Sequence, residues 1–208
     1  FKYITDALRD PSTSSPQASS GQASPVLSVD LFGMTATNED DLNIGQVLER
    51  ALPYFDYVSP MVYPSHYPTG FNGYTNVNEH SYDIVKFSMD AAVRRTIAET
   101  TTVATLAGVP IMKSIVVPAI PPTAGHAGTA TTTKDVATGM YTKQSYPASK
   151  IRPWLQSFDY PIVYTQEMVA EQIKATNDAG LDSWMFWDAA NKYNALRKIL
   201  TTTTSTTQ

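Results

Sequence analysis

Polar and aromatic side chains stand at or near the ends of four apolar stretches of the sequence. They are Asp30 in VLSVDLF, Tyr63 at the end of YVSPMVY with His66 beyond it, Trp154 with Gln156 in IRPWLQ, and Trp187 at the end of SWMFW followed by Asp188. A carboxylate in an apolar strand is costly unless it is paired or lies at a wet rim. Asp30 is therefore the candidate for acid–base chemistry. The tyrosine, histidine, glutamine and tryptophan side chains are candidates for ligand contacts through hydrogen bonds and ring faces.

Each candidate also has a purely structural interpretation. Asp30 could cap the loop that follows it or pair with Arg152, for which Asp56 is another possible partner. Trp154 could simply fill the interior of the fold. Asp188 is a natural N-terminal cap for the last helix, because an aspartate oxygen can accept the free backbone N–H groups of a first turn. The residues alone leave both interpretations open at every position.

Composition excludes several classes of function. A net charge of −4 and a pI near 5.3 argue against nucleic acid or an anionic membrane as the main partner. The absence of cysteine excludes a disulfide scaffold and thiolate chemistry, and three scattered histidines lack metal-ligand spacing. Glycine-rich phosphate motifs and the GxSxG elbow do not occur, and no apolar run approaches the length of a membrane span. We therefore expect no cofactor, no metal and no transmembrane segment.

The elements that must position the candidates alternate between strand and helix. The pattern predicts strands at 26–32, 57–63, 151–156 and 183–187, an ambiguous apolar segment at 109–117, and helices at 1–8, 42–52, 81–107, 165–179 and 191–200. Such alternation favours parallel pairing through right-handed crossovers, with the chemistry at the carboxyl ends of the strands. Four repeats correspond to half of a (β/α)₈ TIM barrel, so the predicted fold class is α/β.

Three stretches of low complexity interrupt this alternation. Residues 11–24, 118–149 and 201–208 are rich in serine, threonine, alanine or proline, which predicts two long loops inside a single domain over 1–200 and a disordered tail. The chain also opens at Phe1 within a helical pattern and without an initiator methionine. We therefore expect a further segment upstream.

Four strings of sequence carry a resemblance to a known family. They are SVDLFG at 28–33, DYVSPMVYPSHYPTGFNGY at 56–74, KIRPWLQ at 150–156 and AGLDSWMFWDAANKY at 179–193. Together they resemble a bacterial family of glycoside hydrolase-like domains, barrel relatives of chitinase- and amylase-like enzymes. By that comparison the chain supplies strands five to eight of the barrel. The family's amino-terminal half, including a strand that resembles FDYVRFP, has no counterpart here.

The resemblance implies a carbohydrate substrate. Glycoside hydrolysis generally uses two carboxyl groups on either side of the scissile bond. Asp30 would be one, and the missing fourth strand would supply the other. The sugar site would be shaped by Tyr63, His66, Trp154, Gln156, Trp187 and Asp188. The alternative is a non-catalytic glycan-binding or cell-envelope scaffold that keeps the barrel without the acid pair.

Two further expectations follow from the same comparison. Open sheet edges would favour self-association or pairing with the missing amino-terminal half. The serine-, threonine- and proline-rich segments and the family's association with the envelope suggest an extracellular or cell-envelope location.

Overall fold

The structure is a computed structural model that describes residues 1–10, 25–105, 107–118 and 131–204. The chain forms two compact units, one made of Phe1–Ile97 with Tyr146–Gln208 and the other of Ala98–Ser145. The predicted loop at 11–24, part of the loop predicted at 118–149 and the last four residues of the predicted tail lie outside the described residues.

The described residues contain seven strands and five α-helices. The strands are β1 (Ser28–Phe32), β2 (Tyr57–Val62), β3 (Thr100–Thr101), β4 (Pro110–Pro118), β5 (Thr131–Thr142), β6 (Trp154–Gln156) and β7 (Met185–Trp187). The helices are α1 (Lys2–Arg9), α2 (Leu48–Ala51), α3 (Ser81–Ile97), α4 (Gln166–Asp178) and α5 (Asn194–Thr204).

The larger unit is built on a four-stranded sheet in the order β1-β2-β6-β7, and every neighbouring pair is parallel. The chain is thus a mixed α/β protein with a parallel sheet, as the alternation predicts. Gly33 follows β1 directly and allows a close backbone approach. A Cβ at this position would lie 2.3 Å from the carbonyl oxygen of Met61, so a larger residue would push the two strand ends apart.

The two faces of this sheet differ in character. Leu31, Val58 and Leu155 point to one face, where they are fully buried in a core shared with α2, α3 and α4. Their strand neighbours point to the opposite face, because side chains alternate along a strand. Asp30 and Trp187 lie on that opposite face, and both are exposed to solvent. The sheet therefore has one apolar, helix-covered face and one face that carries the candidate side chains.

Two predicted helices are shorter than expected. The helix predicted at 42–52 is wrong in extent, because α2 covers only Leu48–Ala51. Leu42 and Asn43 have φ values of 53° and 56°, and their N–H groups donate to the side chains of the two preceding aspartates. Those acids form turns rather than start a helix, since aspartate competes with helical bonding in this way. Similarly, α3 ends at Ile97 rather than near 107 because the chain enters the threonine-rich strand β3.

The smaller unit corrects the loop predicted at 118–149. Strand β5 occupies 131–142 and pairs antiparallel with β3 and β4, and β4 confirms the strand interpretation of 109–117. Threonine and valine are common in strands because β-branched side chains fit a pleated surface. A threonine-rich composition therefore supports a strand as well as low complexity. The last helix likewise continues to Thr204, into the predicted tail.

A buried ion pair ties α3 to the segment after β1. Arg95 donates from Nε and Nη2 to the two carboxylate oxygens of Glu49 at 2.8 and 2.5 Å. The same guanidinium donates to the carbonyl oxygens of Thr35 and Asn38. Only 12% of the Arg95 side chain and 2% of the Glu49 side chain are exposed. If either residue were lost, water could hardly reach the remaining charge to solvate it.

Replacing Arg95 with methionine should destabilise the fold strongly. The change leaves the Glu49 carboxylate buried without its partner, so we expect the free energy of unfolding to fall by about 3–5 kcal/mol. Lys86→Met is the matched control on the same helix. Lys86 pairs with Asp90 in a partly exposed position, and its loss should cost about 0–1 kcal/mol. Urea denaturation of both variants checks this, and equal losses would contradict the assigned role of Arg95.

Candidate functional site

The carboxyl ends of β2, β6 and β7 surround an aromatic cavity with a volume of about 560 Å³. The residues that line this aromatic cavity are Tyr63, Ser65, His66, Phe158, Tyr160, Trp187 and Ala189. Parallel pairing sets Gln156 opposite Trp187 in the register, so the segments that follow β6 and β7 emerge side by side. Three predicted site residues, Tyr63, His66 and Trp187, therefore do come together.

The rings of the aromatic cavity pack mainly edge to face. The ring of Phe158 lies 5.4 Å from that of Tyr63 and 5.7 Å from that of His66, with interplanar angles of 82° and 80°. The rings of His66 and Tyr160 are 6.0 Å apart. Such contacts hold aromatic side chains in fixed orientations while leaving ring surface free for a ligand.

The carboxylate of Asp30 contacts the side chain of Trp154. The indole Nε1–H of Trp154 donates to Oδ1 of Asp30 at 2.9 Å, and the Trp154 ring packs at 89° against the ring of Trp187. This chain of contacts connects the carboxylate on β1 to the wall of the aromatic cavity. The indole bond occupies one carboxylate oxygen, and Asp30 remains exposed on the open face of the sheet.

Tyr63 stays protonated next to this carboxylate. Burial raises the pKa of its hydroxyl to about 12, and the negative charge of Asp30 adds to the shift. At neutral pH the hydroxyl is therefore available as a hydrogen-bond donor at the cavity wall.

Gln156 has a different place from the one expected. It is fully buried, and its Oε1 accepts from the N–H of Ser65 at 3.2 Å. Its Nε2 donates to the carbonyl oxygens of Phe158 and Tyr160 at 3.1 and 3.3 Å. Contact between Gln156 and a sugar hydroxyl stays a prediction, and in this structure both atoms of its amide bond to the backbone of the loops. Gln156 is a positioning residue that joins the segment after β2 to the segment after β6.

A second buried glutamine holds Gln156 itself in place. The side-chain amide of Gln172 on α4 accepts from the backbone N–H of Gln156 and donates to its backbone oxygen, at 2.8 and 2.9 Å. Gln172 is fully buried, so this pair of bonds has no competition from solvent. The helix thereby fixes the end of β6.

The carboxylate of Asp188 also accepts hydrogen bonds from the backbone. Its two oxygens accept from the N–H groups of Ala190 and Tyr193 at 2.8 and 3.2 Å, and the residue is only 8% exposed. Asp188 was expected to cap the last helix, and this expectation is wrong because α5 begins at Asn194. Asp188 instead closes the turn before that helix. A direct sugar contact by Asp188 would compete with both backbone bonds.

Arg152 pairs with neither aspartate that the sequence offers. Its guanidinium lies 3.6 Å from the ring centroid of Tyr57, and its Nε donates to Oγ of Ser183 at 2.6 Å. Asp56 instead accepts from the N–H of Leu27 and from Arg9. The bond from Leu27, aided by the charge of Arg9, holds the pKa of the Asp56 carboxyl below its usual range.

Sequence patterns did not indicate Phe158, Tyr160 or Gln172. The first two follow β6 directly in QSFDYP, so a search for aromatic residues just beyond each strand end would have found them. Gln172 gives no such signal, because a glutamine within an amphipathic helix is ordinarily solvated.

The described residues show neither a cluster of metal-ligating side chains nor a membrane-spanning helix. The part of the chain that the structure describes holds no group of three or more potential metal-ligating side chains. Among the helices of that same part, none is both long and apolar enough to cross a membrane.

The sequence of the chain matches the model of a known family. Residues 16–106 and 123–193 match the sequence model of a family described as a putative glycosyl hydrolase domain. The chain belongs to this family. In this glycosyl hydrolase-type domain, the match includes β1, β2, β6 and β7 and therefore the whole aromatic cavity. No curated protein and no solved structure shows a significant match to the chain.

Replacing Gln156 with leucine should loosen the aromatic cavity. The variant leaves the N–H of Ser65 and two carbonyl groups without their partner, which should lower the free energy of unfolding by about 1–3 kcal/mol. Gln46→Leu is the control, since Gln46 is only half-buried and accepts one bond, from Phe32. Hydrogen exchange should speed up at Ser65 in Gln156→Leu alone. Unchanged exchange there would contradict the positioning role.

Proposed function

We propose that this chain is the second half of a (β/α)₈ barrel that hydrolyses a glycosidic bond in a poly- or oligosaccharide. The observation that carries the proposal is the aromatic cavity at the carboxyl ends of parallel strands, next to an exposed carboxylate. Membership of a glycosyl hydrolase family supports a carbohydrate substrate. In barrels of this type the carboxyl ends of the strands are where catalytic groups are found.

Asp30 is the proposed catalytic carboxyl group. Its contact with Trp154 orients one oxygen, while the side chain lies on the open face of the sheet. Hydrolysis requires a second carboxyl group, about 5 Å away for retention or about 6.5–9.5 Å for inversion of the anomeric centre. We propose that it comes from the family's strand that resembles FDYVRFP.

The aromatic cavity is the proposed sugar subsite. Sugar rings present C–H groups that pack on aromatic faces, and Trp187, whose side chain is 46% exposed, offers such a face. Tyr63 and His66 provide hydrogen-bonding groups at the wall, and Trp154 supports Trp187 from behind. Gln156 and Asp188 contribute indirectly by fixing the loops.

A non-catalytic glycan-binding or cell-envelope scaffold is the second candidate. The hydrogen-bond donors to three carboxylates favour it. Asp30 accepts from an indole N–H, and Asp159 and Asp188 accept from backbone N–H groups. Within the described residues, no second carboxyl group is recorded in contact with Asp30. An extracellular or envelope location fits either candidate.

Replacing Asp30 with asparagine separates the two candidates when the chain is assayed together with the part of the family domain that carries the proposed second carboxyl group. The enzyme should lose turnover by about 100- to 10,000-fold, because the amide cannot transfer a proton, while saccharide binding stays within about twofold. Reducing-sugar release from a polysaccharide panel measures turnover, and quenching of tryptophan fluorescence measures binding. Asp182→Asn, an exposed acid on the segment before β7, is the matched control. Saccharide binding without turnover, with Asp30 intact and the part that carries the second carboxyl group present, would favour the scaffold.

The open sheet edges are proposed to pair with another chain. β1 and β7 are the outer strands of the parallel sheet within the described residues, and exposed strand edges favour further pairing. We expect the isolated chain to self-associate as its concentration rises. Sedimentation velocity measures this, and a monomer over a wide concentration range would contradict it.

A further inference from the structure

His66 stands among three aromatic rings in the wall of the aromatic cavity. The centroid of its ring lies 5.6 Å from that of Tyr63, 5.7 Å from that of Phe158 and 6.0 Å from that of Tyr160. The residue is nevertheless exposed, so a ligand can reach the imidazole. The ring contacts restrict the tilt of the imidazole. They do not determine which of its two nitrogen atoms meets the ligand, because edge-to-face packing hardly distinguishes ring nitrogen from ring carbon.

Ser65 makes that distinction. Its Oγ lies 3.1 Å from Nδ1 of His66, and both residues line the aromatic cavity. The other ring nitrogen, Nε2, has no hydrogen-bond partner among the described residues. The bond with Ser65 therefore uses Nδ1 and leaves Nε2 for a ligand.

The hydroxyl of Ser65 is the better donor in this bond. Within the part of the chain that the structure describes, Nδ1 of His66 is the only acceptor that this hydroxyl meets. An imidazole nitrogen is also a stronger base than a hydroxyl oxygen. A neutral imidazole carries one proton, so acceptance at Nδ1 places that proton on Nε2.

Buried side chains fix the backbone from which Ser65 acts. The N–H of Ser65 donates to Oε1 of Gln156 at 3.2 Å, and Gln172 bonds both the N–H and the carbonyl oxygen of Gln156. Both glutamines are fully buried. In addition, the N–H of His66 donates to the carbonyl oxygen of Tyr63 at 2.9 Å. Because these bonds have little competition from solvent, the serine hydroxyl has a more defined position than that of a serine on a solvated loop.

The same glutamine also holds two of the rings around His66. Nε2 of Gln156 donates to the carbonyl oxygens of Phe158 and Tyr160, and both of their rings pack against the imidazole. One buried amide thus anchors the serine that meets Nδ1 and the rings that limit the tilt of the imidazole.

We propose that Ser65 is a positioning residue, which donates to Nδ1 of His66 so that Nε2–H of His66 donates to an oxygen atom of the bound saccharide. The hydroxyl of Tyr63 is a second donor on the same wall. The cavity would then favour a ligand that presents acceptor oxygens beside an apolar face. The saccharide rests on the proposed function, whereas the position of the proton on His66 does not.

Nitrogen-15 NMR of the histidine side chains measures the position of this proton. The chain contains three histidines, so His80→Gln and His126→Gln variants assign the signals of His66. At about pH 8.5, above the ordinary titration range of histidine, we expect the proton on Nε2 and a hydrogen-bonded Nδ1. In Ser65→Ala the Nδ1 signal should move toward the shift of a nitrogen without a donor. Ser65→Thr, which keeps the hydroxyl, should restore the original shift.

Ser114→Ala is the matched control for the loss of a serine hydroxyl. Ser114 donates to Asp135 in the smaller unit, and its hydroxyl is exposed like that of Ser65. We expect this variant to leave the His66 signals unchanged.

Saccharide affinity measures whether the orientation of His66 matters for binding. Calorimetry with cellohexaose, xylohexaose and chitohexaose identifies the probe, and the tightest binder of the three then compares the variants. Ser65→Ala should weaken binding by about three- to tenfold, because one orienting hydrogen bond of ordinary strength is lost. The urea midpoint should stay the same, since alanine keeps the N–H that Gln156 accepts.

A double-mutant cycle separates positioning from a general loosening of the loop. His66→Phe keeps an aromatic ring among its three neighbours but removes both nitrogen atoms, so it should weaken binding by itself. Adding Ser65→Ala to His66→Phe should then cause no further loss of affinity. An undiminished effect of Ser65→Ala in that background would mean that Ser65 acts without His66, which overturns the proposal.

The results also distinguish this inference from the proposed function. A proton on Nδ1, or an Nδ1 signal that Ser65→Ala does not move, would overturn the positioning role whatever the chain binds. An affinity that Ser65→Ala leaves unchanged would overturn it as well. Absence of binding by all three saccharides would count against the proposed sugar subsite, while the NMR measurement still decides whether Ser65 sets the proton position on His66.

Discussion

Parallel pairing brings the carboxyl ends of β1, β2, β6 and β7 to the same edge of the sheet, and the candidate site depends on that constraint. Residues more than 100 positions apart in the chain, such as Asp30 and Trp154, become neighbours because their strands run in the same direction. An antiparallel neighbour would send its polar end to the opposite edge. Sheet direction therefore determines which side chains can meet before any loop detail matters.

Buried polar groups then convert this common edge into a defined cavity. Gln172 fixes the end of β6, Gln156 ties two loops together, and Asp188 closes a third. Each group is shielded from water, so its hydrogen bonds are specific and costly to break. The rings of the cavity wall can remain partly exposed because these glutamine and aspartate contacts, rather than apolar burial, hold the loops that carry them.

The sequence by itself determined most of the architecture. Hydrophobic periodicity located the four parallel strands and the helices α1, α3 and α4, because burial on one face imposes a regular spacing that survives in the residue order. The candidate residues Asp30, Tyr63, Trp154 and Trp187, which lie in or directly after these strands, could be selected for the same reason. Composition predicted less well than periodicity. It indicated a loop in a threonine-rich stretch that contains β5.

Only the tertiary structure decided what each polar side chain contacts. Gln156 and Asp188 turned inward to the loop backbone rather than toward a ligand, and Arg152 found a tyrosine ring instead of an aspartate. Local sequence cannot settle these outcomes, since several partners distant in the chain compete for each donor or acceptor. The position of the packed loops determines which partner is within hydrogen-bonding distance.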